Sequence, residues 1–432
     1  MKPLLSYYGD DFTGSTDVME ALASNGIETV LFLKVPEPDF AARFAGARAF
    51  GLAGTSRSET PDWMDANLPA AFGWLKGLGA TFFHYKICST FDSAPGIGSI
   101  GRAIEIGRAV FGAATVPLIV GAPQIRRYTA FGHLFAAYQG RVYRIDRHPV
   151  MAHHPVTPMA EADVLAHLAR QTALGSASID NVALLSDPAI PETGILLIDV
   201  DDEPTQKAAG RLLWNRLRGK APFLCGSSGV EYALVHALAE AGEIGERPVF
   251  APAGPVRQMP VVSGSVSPTT ERQIRHALAN GFEGVAVDPV RLATDEAETA
   301  RAIEAGLAIL SAGQSPLVYT ALGPAADRGG ELSAEGARHR IGRALGRINR
   351  ALIETAGLTR AVVAGGDTSS HALSEMGIAA LTLRMPLPQS PGSPLSTAHG
   401  PDVTALEVAL KGGQVGHDDY FSMIRSGNPS AA

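Results

Sequence analysis

The amino-acid sequence predicts an α/β protein with two domains, each built on a mostly parallel sheet. The chain has 432 residues, more than the roughly 100–200 residues of one ordinary domain. Short apolar runs bounded by Gly or Pro alternate with longer amphipathic stretches, as strands alternate with covering helices in α/β folds. Four prolines interrupt this alternation within residues 246–260, which are predicted to be the linker. We therefore expect domains over residues 1–245 and 261–432, around an interdomain cleft.

In the first domain, the apolar runs are short and have no polar face, which is typical of strands buried in a parallel sheet. Asp17 and Glu20 form a D-x-x-E pattern, which predicts that they begin the first helix. Residues 122–160 are rich in Arg, His, Tyr and Pro and are predicted to leave the sheet. Strands are predicted over 3–8, 28–34, 47–54, 80–87, 115–121, 194–200 and 221–225, and helices over 16–25, 60–77, 97–110, 160–173, 203–218 and 229–242.

The same alternation resumes in the second domain after the linker. Its clearest helix is predicted over 334–357, where apolar residues recur at three- and four-residue steps and Gly357 closes the helix. Strands are predicted over 261–265, 284–288, 316–321, 360–365, 379–385 and 404–410.

Composition and charge exclude several classes of protein. The net charge is -7 and the basic residues are scattered, so no nucleic-acid partner is expected. Apolar stretches are too short to span a bilayer, and no signal segment opens the chain. Cys88 and Cys225 lie in apolar segments outside any metal-binding pattern, which predicts reduced thiols and a cytoplasmic location. The sequence leaves a homo-oligomeric state open.

Polar residues follow several predicted strands of the first domain. In parallel sheets, ligands bind where the carboxyl ends of strands meet. An Arg and a Lys beside carboxylates and hydroxyls suit a small, polyhydroxylated anion, whereas a structural ion pair with ordinary helix caps explains the same residues equally well. These residues are Asp10, Asp11, Arg57, Lys86, Ser89 and Thr90, with the GSSG sequence of residues 226–229.

Three strands of the second domain run into Gly with Ser or Thr nearby, at residues 261–270, 361–370 and 407–416. Gly lets a backbone approach an anion, and the N–H groups of a following helix form a cradle for phosphate. For the first of these corners taken alone, helix capping is the favoured explanation. The carboxylate of Asp367 between Gly366 and Thr368 instead suits Mg²⁺ or a hydroxyl proton.

Two other patterns are weaker. Residues 96–101 satisfy GxGxxG, but they lie too far from the preceding strand for a dinucleotide fingerprint, and no acidic residue follows at the required spacing. His148, His153 and His154 lie in a segment broken by prolines that lacks further metal ligands. A polar loop over a cleft is the favoured interpretation of this segment.

Taken together, the motifs resemble those of the four-carbon acid sugar kinases over nearly the whole chain. The segments that carry the resemblance are YGDDFTGSTD, GTSRS, YKICST, HPVTPM, GSSGVEYAL, GSVSPTT, GGDTSSHAL and ALKGGQVG, in this order. The resemblance implies an N-terminal domain that binds a short acid sugar, a C-terminal domain that binds ATP, and transfer of the γ-phosphate to a substrate hydroxyl. Threonate, erythronate and 3-oxo-tetronate are the substrates that it implies.

The resemblance also places individual residues on the two sides of the site. As a hypothesis, Arg57 binds the substrate carboxylate, Lys86 stabilises the transferring phosphoryl group or a substrate oxygen, and Asp11 or Asp367 accepts the hydroxyl proton. Mg²⁺ is expected on the nucleotide phosphates, near Asp367. The substrate side comprises Asp10, Asp11, Arg57, Lys86, Ser89 and Thr90, and the nucleotide side comprises Ser265, Ser267, Gly365, Gly366, Asp367, Thr368, Lys411, Gly412 and Gly413.

The chain departs from the family pattern in two places. Where many members read DSTLRGN, this chain reads CSTFDSAPGIGS, which removes a basic residue and lengthens the loop. KSGxFG has become KGGQVG. The first change lies on the substrate side, so the identity of the acid sugar stays open. An NAD-dependent oxidoreductase and a non-catalytic sugar-acid sensor are the alternative functions.

Overall fold

The structure is a computed structural model that describes residues 2–154, 156–331, 336–403 and 405–428, and all their side chains except that of Asp367. It divides into two compact units. Unit 1 comprises Met1–Val30 and Lys34–Pro248, and unit 2 comprises Leu31–Leu33 and Val249–Ala432. The main division therefore falls inside the proline-rich segment 246–260.

Unit 1 is an α/β unit with a long sheet and a small second sheet. The strands are β1 (Leu5–Gly9), β2 (Thr29–Phe32), β3 (Ala49–Ala53), β4 (Phe82–Lys86), β5 (Val116–Ile119), β6 (Arg127–Ala130), β7 (His133–Tyr138), β8 (Arg141–Arg144), β9 (Ser176–Ile179), β10 (Ile195–Ile198) and β11 (Phe223–Gly226). The helices are α1 (Phe12–Ala23), α2 (Pro38–Ala42), α3 (Pro61–Gly77), α4 (Ile100–Phe111), α5 (Val164–Leu168), α6 (Asn181–Leu184), α7 (Glu203–Arg211) and α8 (Gly229–Glu240).

The long sheet has the order β2-β3-β1-β4-β11-β5-β10-β9. β1 pairs in parallel with β3 and β4, β11 with β4 and β5, and β10 with β5 and β9. This confirms the predicted fold class, and each of the seven predicted strands is present. β9 was not predicted, because its SASI sequence is partly exposed and lacks an apolar run.

Residues 122–160 leave the long sheet, as predicted. β6, β7 and β8 form a separate antiparallel sheet of three strands. Short 3₁₀ turns follow at Ile145–Arg147 and Met151–His153.

The predicted start of the first helix is wrong. α1 begins at Phe12, because the Asp11 side chain caps it by accepting a hydrogen bond from the Gly14 N–H. Asp17 therefore lies inside the helix, and its carboxylate does not cap the helix N-terminus. The helix predicted over 160–173 is also too long, since α5 spans only Val164–Leu168.

In unit 2, seven strands lie side by side in the order β13-β14-β12-β15-β18-β17-β16. The β12, β13, β14, β15 and β18 pairs are parallel, whereas β17 is antiparallel to both neighbours. The strands are β12 (Val261–Ser263), β13 (Phe282–Ala286), β14 (Ser315–Tyr319), β15 (Arg360–Ala364), β16 (Ala380–Met385), β17 (Leu395–His399) and β18 (Glu407–Lys411). The helices are α9 (Pro268–Leu278), α10 (Pro289–Thr294), α11 (Glu296–Ser311), α12 (Ala337–Ala356), α13 (Gly366–Glu375) and α14 (Tyr420–Ser426).

α12 is the helix predicted over 334–357. Its apolar stripe of Ile341, Leu345, Ile348 and Leu352 is buried, and Gly357 ends it with φ +63°. Residues 334 and 335, at the start of the predicted range, lie outside the described residues, as does residue 404 at the start of another predicted strand. β17 was not predicted, because its LSTAH sequence has only two apolar residues, separated by two polar ones, and so lacks an apolar run.

Close packing of α7 on α8 yields a test of the fold. Gly210 lies in α7, and a Cβ atom there would lie 2.0 Å from the Ala233 carbonyl oxygen of α8. Gly210→Ala should therefore lower the free energy of unfolding by roughly 3 kcal/mol, because backbone cannot yield as a flexible side chain can. Urea unfolding monitored by circular dichroism measures this.

The matched control is Gly73→Ala in α3, where a Cβ would meet nothing within 4 Å. This substitution should raise stability by about 0.5–1 kcal/mol, because Ala favours the helix over Gly. Equal effects of the two substitutions would contradict the α7–α8 packing.

Candidate active site

The predicted substrate-side residues of unit 1 lie together at the carboxyl edge of the long sheet. β3, β1, β4 and β11 are neighbours in the sheet, and the polar segments follow directly after them. Asp10 and Asp11 follow β1, Arg57 follows β3, and Lys86 ends β4. Because neighbouring parallel strands end at the same edge, residues far apart in sequence meet there.

Arg57 lies between two carboxylates. Its Nη1 donates to Asp11 Oδ2 at 3.0 Å, and its Nη2 donates to Asp92 Oδ2 at 2.7 Å. Asp11 Oδ1 accepts from the Gly14 N–H at 2.6 Å. Both Asp11 oxygens are therefore engaged, and both Nη atoms of Arg57 already contact carboxylates.

Asp92 connects three loops of unit 1, although sequence reasoning did not select it. Its side chain is 1% exposed. Besides Arg57, it accepts hydrogen bonds from the Thr90 hydroxyl and, at 3.4 Å, from the Thr157 hydroxyl. Burial alone would raise the pKa of Asp92, but the charge of Arg57 and these hydrogen bonds outweigh burial and lower it. The signal in the sequence was the departure from the family pattern in this segment.

Lys86 is buried and stays charged because carboxylates surround it. Its Nζ donates to the Ile87 carbonyl at 3.0 Å and lies 3.7 Å from Asp17 Oδ2. Burial would lower the pKa of Lys86, but the charges of Asp17, Asp10 and Asp11 raise it overall. Asp17 is thus a partner of Lys86, a role that sequence reasoning missed.

Asp10 is fixed by its backbone, while its side chain has no fixed partner. The Asp10 N–H donates to the Lys86 carbonyl at 2.8 Å, and the Arg57 N–H donates to the Asp10 carbonyl at 3.0 Å. Within the described residues, its Oδ1 is buried and has no hydrogen-bond donor. Burial, followed by the charge of Asp11, raises the pKa of Asp10 to about 7.

The remaining predicted substrate-side residues lie in the loop after β4. Thr90 is buried and donates to Asp92, as described above. Ser89 is half-buried, and its hydroxyl makes no hydrogen bond with a described residue. Cys88 shares this loop, and burial raises the pKa of its thiol.

A buried His–Glu pair lies beneath this edge of the sheet. His84 Nδ1 lies 2.5 Å from Glu231 Oε1, and both side chains are fully buried. His84 Nε2 lies 3.1 Å from the Gly226 carbonyl, which can only accept, so Nε2 carries a hydrogen. The pair connects β4 to the first turn of α8, and His84 also contacts the GSSG sequence through Gly226. No motif in the sequence indicated it.

Two patterns in the sequence have structural explanations. Two of the three GxGxxG glycines allow close packing: a Cβ on Gly98 would lie 2.4 Å from the Arg57 carbonyl oxygen, and one on Gly101 would lie 2.7 Å from Gln171. His148 Nδ1 accepts hydrogen bonds from the Val150 and Met151 N–H groups. Among the described residues, no group of His, Cys, Asp or Glu side chains could hold a metal ion.

In unit 2, the three predicted corners meet at one edge of the sheet. β12, β15 and β18 are consecutive parallel strands, and a corner follows each of them. The structure thereby brings together Ser265, Ser267, Gly365, Gly366, Thr368, Lys411, Gly412 and Gly413. The side chain of Asp367 lies outside the described part of the structure, whereas its backbone lies in the first turn of α13.

Serine and threonine hydroxyls join the first and third corners. Ser267 caps α9 by accepting from the Thr270 N–H at 3.1 Å, and its hydroxyl donates to the Gly413 carbonyl. Ser265 Oγ lies 2.9 Å from Thr270 Oγ1. These contacts fix the loop after β18 against the start of α9.

Lys411 braces the third corner from within. Its side chain is buried, and Nζ donates to Thr270 Oγ1 at 3.0 Å and to the Gly412 carbonyl at 2.7 Å, with the Gly413 and Val415 carbonyls at 3.4 Å. The oxygens that contact it are uncharged. Burial lowers the pKa of Lys411 to about 7.

At the second corner, the backbone of glycine residues packs closely against the Thr368 hydroxyl, as expected for an anion-binding loop. Gly365 has φ +123°, and a Cβ there would lie 2.9 Å from Thr368 Oγ1. A Cβ on Gly264 would lie 2.2 Å from the same oxygen, so glycine is needed at both positions. Gly366 is exposed, and nothing lies within 4 Å of its Cβ position. The start of α13 therefore offers open space beside the N–H groups of its first turn.

Comparison with known proteins matches each of the two units to a described domain family. A family model described as a sugar-binding N-terminal domain matches residues 5–234, and one described as a nucleotide-binding C-terminal domain matches residues 261–421. The 3-oxo-isoapionate kinase of Paraburkholderia graminis is 44% identical, over 99% of this chain and 95% of its own length. The 3-oxo-tetronate kinase of Cupriavidus necator is 30% identical, over 97% and 96%.

A solved structure shares the fold over nearly all of both chains. The crystal structure of a Haemophilus influenzae protein superposes with a TM-score of 0.71 at 22% identity, covering 97% of this chain and 99% of that one. At this identity, the likeness concerns the fold alone. No helix within the described residues is long and apolar enough to cross a bilayer.

A sugar-binding unit and a nucleotide-binding unit in one chain define a sugar kinase. The matched domain models and the full-length relatives show more: this chain belongs to the four-carbon acid sugar kinase family.

The placement of Arg57 between Asp11 and Asp92 predicts a stability effect. Asp92→Asn removes one carboxylate from a largely buried guanidinium and should lower the free energy of unfolding by about 2 kcal/mol. Because the pKa of Asp92 is lowered, this contribution is present above the ordinary carboxyl pKa of about 3.9 and is lost as the pH falls below it. Urea unfolding at pH 7 and at pH 3.5 should show a smaller deficit at the lower pH.

Asp65→Asn is the control, because the Asp65–Arg102 ion pair has side chains that are 43% and 38% exposed. Its loss should change stability by less than about 1 kcal/mol. If Asp92→Asn lowered the free energy of unfolding no more than Asp65→Asn does, the inferred stabilisation of Arg57 by Asp92 would be wrong.

Proposed function

We propose that this protein is an ATP-dependent kinase that phosphorylates a hydroxyl of a short 3-oxo acid sugar, with 3-oxo-isoapionate as the first candidate substrate. The observation that carries this proposal is full-length similarity at 44% identity to a 3-oxo-isoapionate kinase. Identity to the 3-oxo-tetronate kinase of Cupriavidus necator is only 30%, over 97% of this chain.

We assign acid-sugar binding to the carboxyl edge of the unit 1 sheet. Carboxylates accept hydrogen bonds from sugar hydroxyls, and Lys86 and Arg57 offset the charge of an acid. The two Nη atoms of Arg57 are already paired with Asp11 and Asp92. Arg57 therefore serves better by orienting Asp11 and supplying positive charge than as a bidentate anchor for the substrate carboxylate.

We assign the nucleotide phosphates to the three corners of unit 2. The Gly365–Gly366 cradle, the first turn of α13 and the hydroxyls of Ser265 and Thr368 suit phosphate oxygens. Lys411 adds a buried positive charge behind the loop that contains Gly412 and Gly413.

Mg²⁺ would accompany ATP and neutralise charge that develops on the phosphates during transfer. Asp367, at the start of α13, is the residue that we propose to hold it. The neighbouring Ser265 and Thr368 hydroxyls are oxygen donors of the kind that Mg²⁺ accepts.

The chemistry requires in-line positioning and charge stabilisation more than covalent help from the protein. Lys86 lies among the substrate-side groups and stays protonated, so it is suited to stabilising an oxygen of the transferring phosphoryl group. Asp11 and Asp367 were the predicted proton acceptors. Both oxygens of Asp11 are engaged, by Gly14 and by Arg57, which disfavours Asp11 in that role.

A turnover assay tests the proposed function. We expect ATP-dependent ADP release with 3-oxo-isoapionate, and a kcat/KM for it at least tenfold above that for 3-oxo-tetronate, threonate or erythronate. A coupled assay of ADP, with mass spectrometry of the phosphorylated acid, measures both.

Several outcomes would contradict the proposal. Turnover of 3-oxo-tetronate above 3-oxo-isoapionate would overturn the substrate assignment but keep the kinase. Binding of an acid sugar without turnover would favour a sensor. NADH binding in place of ATP would favour an oxidoreductase.

The buried ammonium of Lys411 predicts proton uptake on nucleotide binding. Without an anion nearby, burial lowers its pKa to about 7. Bound phosphates should raise this pKa, so ADP binding at pH 7.5 should take up a substantial fraction of one proton. Isothermal titration calorimetry in HEPES and in Tris measures this, because the two buffers have different ionisation enthalpies and neither supplies phosphate.

Lys411→Met is the variant that removes the uptake, since it cannot titrate, and it should also weaken ADP binding. Lys411→Arg keeps a permanent charge and should bind without uptake. Equal proton uptake by the wild type and Lys411→Met would assign the proton to another group.

A further inference from the structure

We propose that Asp10 accepts the proton of the substrate hydroxyl during phosphoryl transfer. This inference rests on the proposed function, and it selects Asp10 rather than either residue expected from the sequence.

The placement of Asp10 is rigid. Its N–H donates to the Lys86 carbonyl, and its carbonyl accepts from the Arg57 N–H. The backbone of Asp10 is therefore fixed to both cationic residues of the site. A group held in this way can present one oxygen to a reacting atom without reorganisation.

The Asp10 side chain is the one carboxylate in this cluster without an assigned partner. Asp11 binds Gly14 and Arg57, Asp17 lies beside Lys86, and Asp92 binds Arg57 and Thr90. Asp10 is 3% exposed, and its Oδ1 is enclosed without a donor among the described residues. Its other oxygen is not enclosed in this way. In a buried carboxyl group that lacks hydrogen-bond donors, the protonated form is favoured over the charged form.

Charged groups from several elements act on Asp10. Asp11 at the start of α1 and Asp92 in the loop after β4 disfavour its ionised form, and burial has the same effect. Arg57 after β3 and Lys86 at the end of β4 favour ionisation. The other titratable neighbours are neutral near pH 7, because burial raises the pKa values of Tyr8, Tyr85 and Cys225. The balance leaves the pKa of Asp10 at about 7, where a general base works best.

The step balances without any further reactant. The substrate hydroxyl oxygen forms a bond to the γ-phosphorus as the bond from that phosphorus to the β,γ-bridging oxygen breaks. The bridging oxygen leaves with ADP. The hydroxyl proton moves to the Asp10 carboxylate, which releases it to solvent after the product departs.

The pH dependence of turnover tests this assignment. In the wild type, kcat/KM for the acid sugar should fall about tenfold per pH unit below pH 7, as Asp10 becomes protonated. Asp10→Asn should lower kcat by roughly 10²- to 10⁴-fold, leave the dissociation constant of ADP unchanged, and lack this acidic limb.

Asp199→Asn is the matched control. Asp199 is also buried and follows a strand of the same sheet, and burial raises its pKa to about 6. It contacts the Gly132 N–H and none of the cationic site residues. Its substitution should keep the acidic limb of the wild type. An acidic limb that arises from ionisation of the nucleotide itself would instead persist in Asp10→Asn.

A measurement of stability separates catalysis from folding. Because the folded state raises the pKa of Asp10 to about 7, the contribution of Asp10 to stability falls as the pH rises from about 3.9 to about 7, and the full cost of its buried charge is present at pH 8. Asp10→Asn removes that buried charge, so its melting temperature at pH 8 should equal or exceed that of the wild type. An inactive Asp10→Asn protein with a lower melting temperature at pH 8 would indicate a structural role and overturn the proposal.

The outcomes distinguish the two proposals. If the wild type phosphorylates an acid sugar but Asp10→Asn retains kcat, or keeps the acidic limb, Asp10 is not the proton acceptor and the kinase function stands. If the wild type turns over no acid sugar, the proposed function fails, and the assignment of Asp10 fails with it.

Discussion

The parallel register of neighbouring strands is the constraint on which both sites of this protein depend. In unit 1, β3, β1, β4 and β11 end at one edge, and in unit 2, β12, β15 and β18 do so. Polar side chains can crowd at these edges because the strands behind them are buried and apolar. The sheets thereby hold groups from distant parts of the chain within hydrogen-bond distance.

The unit 1 edge carries more negative than positive side chains. Asp10, Asp11, Asp17 and Asp92 surround Arg57 and Lys86. Because the carboxylates outnumber the cationic side chains, they cannot all be paired with a cation equally well. Asp92 becomes more acidic beside Arg57, whereas Asp10 becomes less acidic. One edge of the sheet thereby holds a permanent anion, Asp92, and a titrating group, Asp10, as enzymes do when they divide roles between carboxylates.

The unit 2 edge, to which we assign the nucleotide phosphates, has few charged side chains. It uses glycines that allow close approach, capping hydroxyls, the N–H groups of a helix start, and one lysine held by uncharged oxygens. The lysine is buried behind the loop, so it acts by fixing the loop and by its field.

The sequence by itself determined the α/β class, the strands of both long sheets with apolar runs, and the set of residues at their carboxyl ends. It could do so because buried parallel strands and phosphate-type corners have local signatures in composition and spacing. The motif order also identified the family. Asp92, the Asp17–Lys86 pair and the His84–Glu231 pair were decided only by the tertiary structure, because they join residues up to 147 positions apart. Ion pairing and burial depend on what the fold places beside a carboxylate, and no local pattern records which of two adjacent aspartates caps a helix and which is left without a donor.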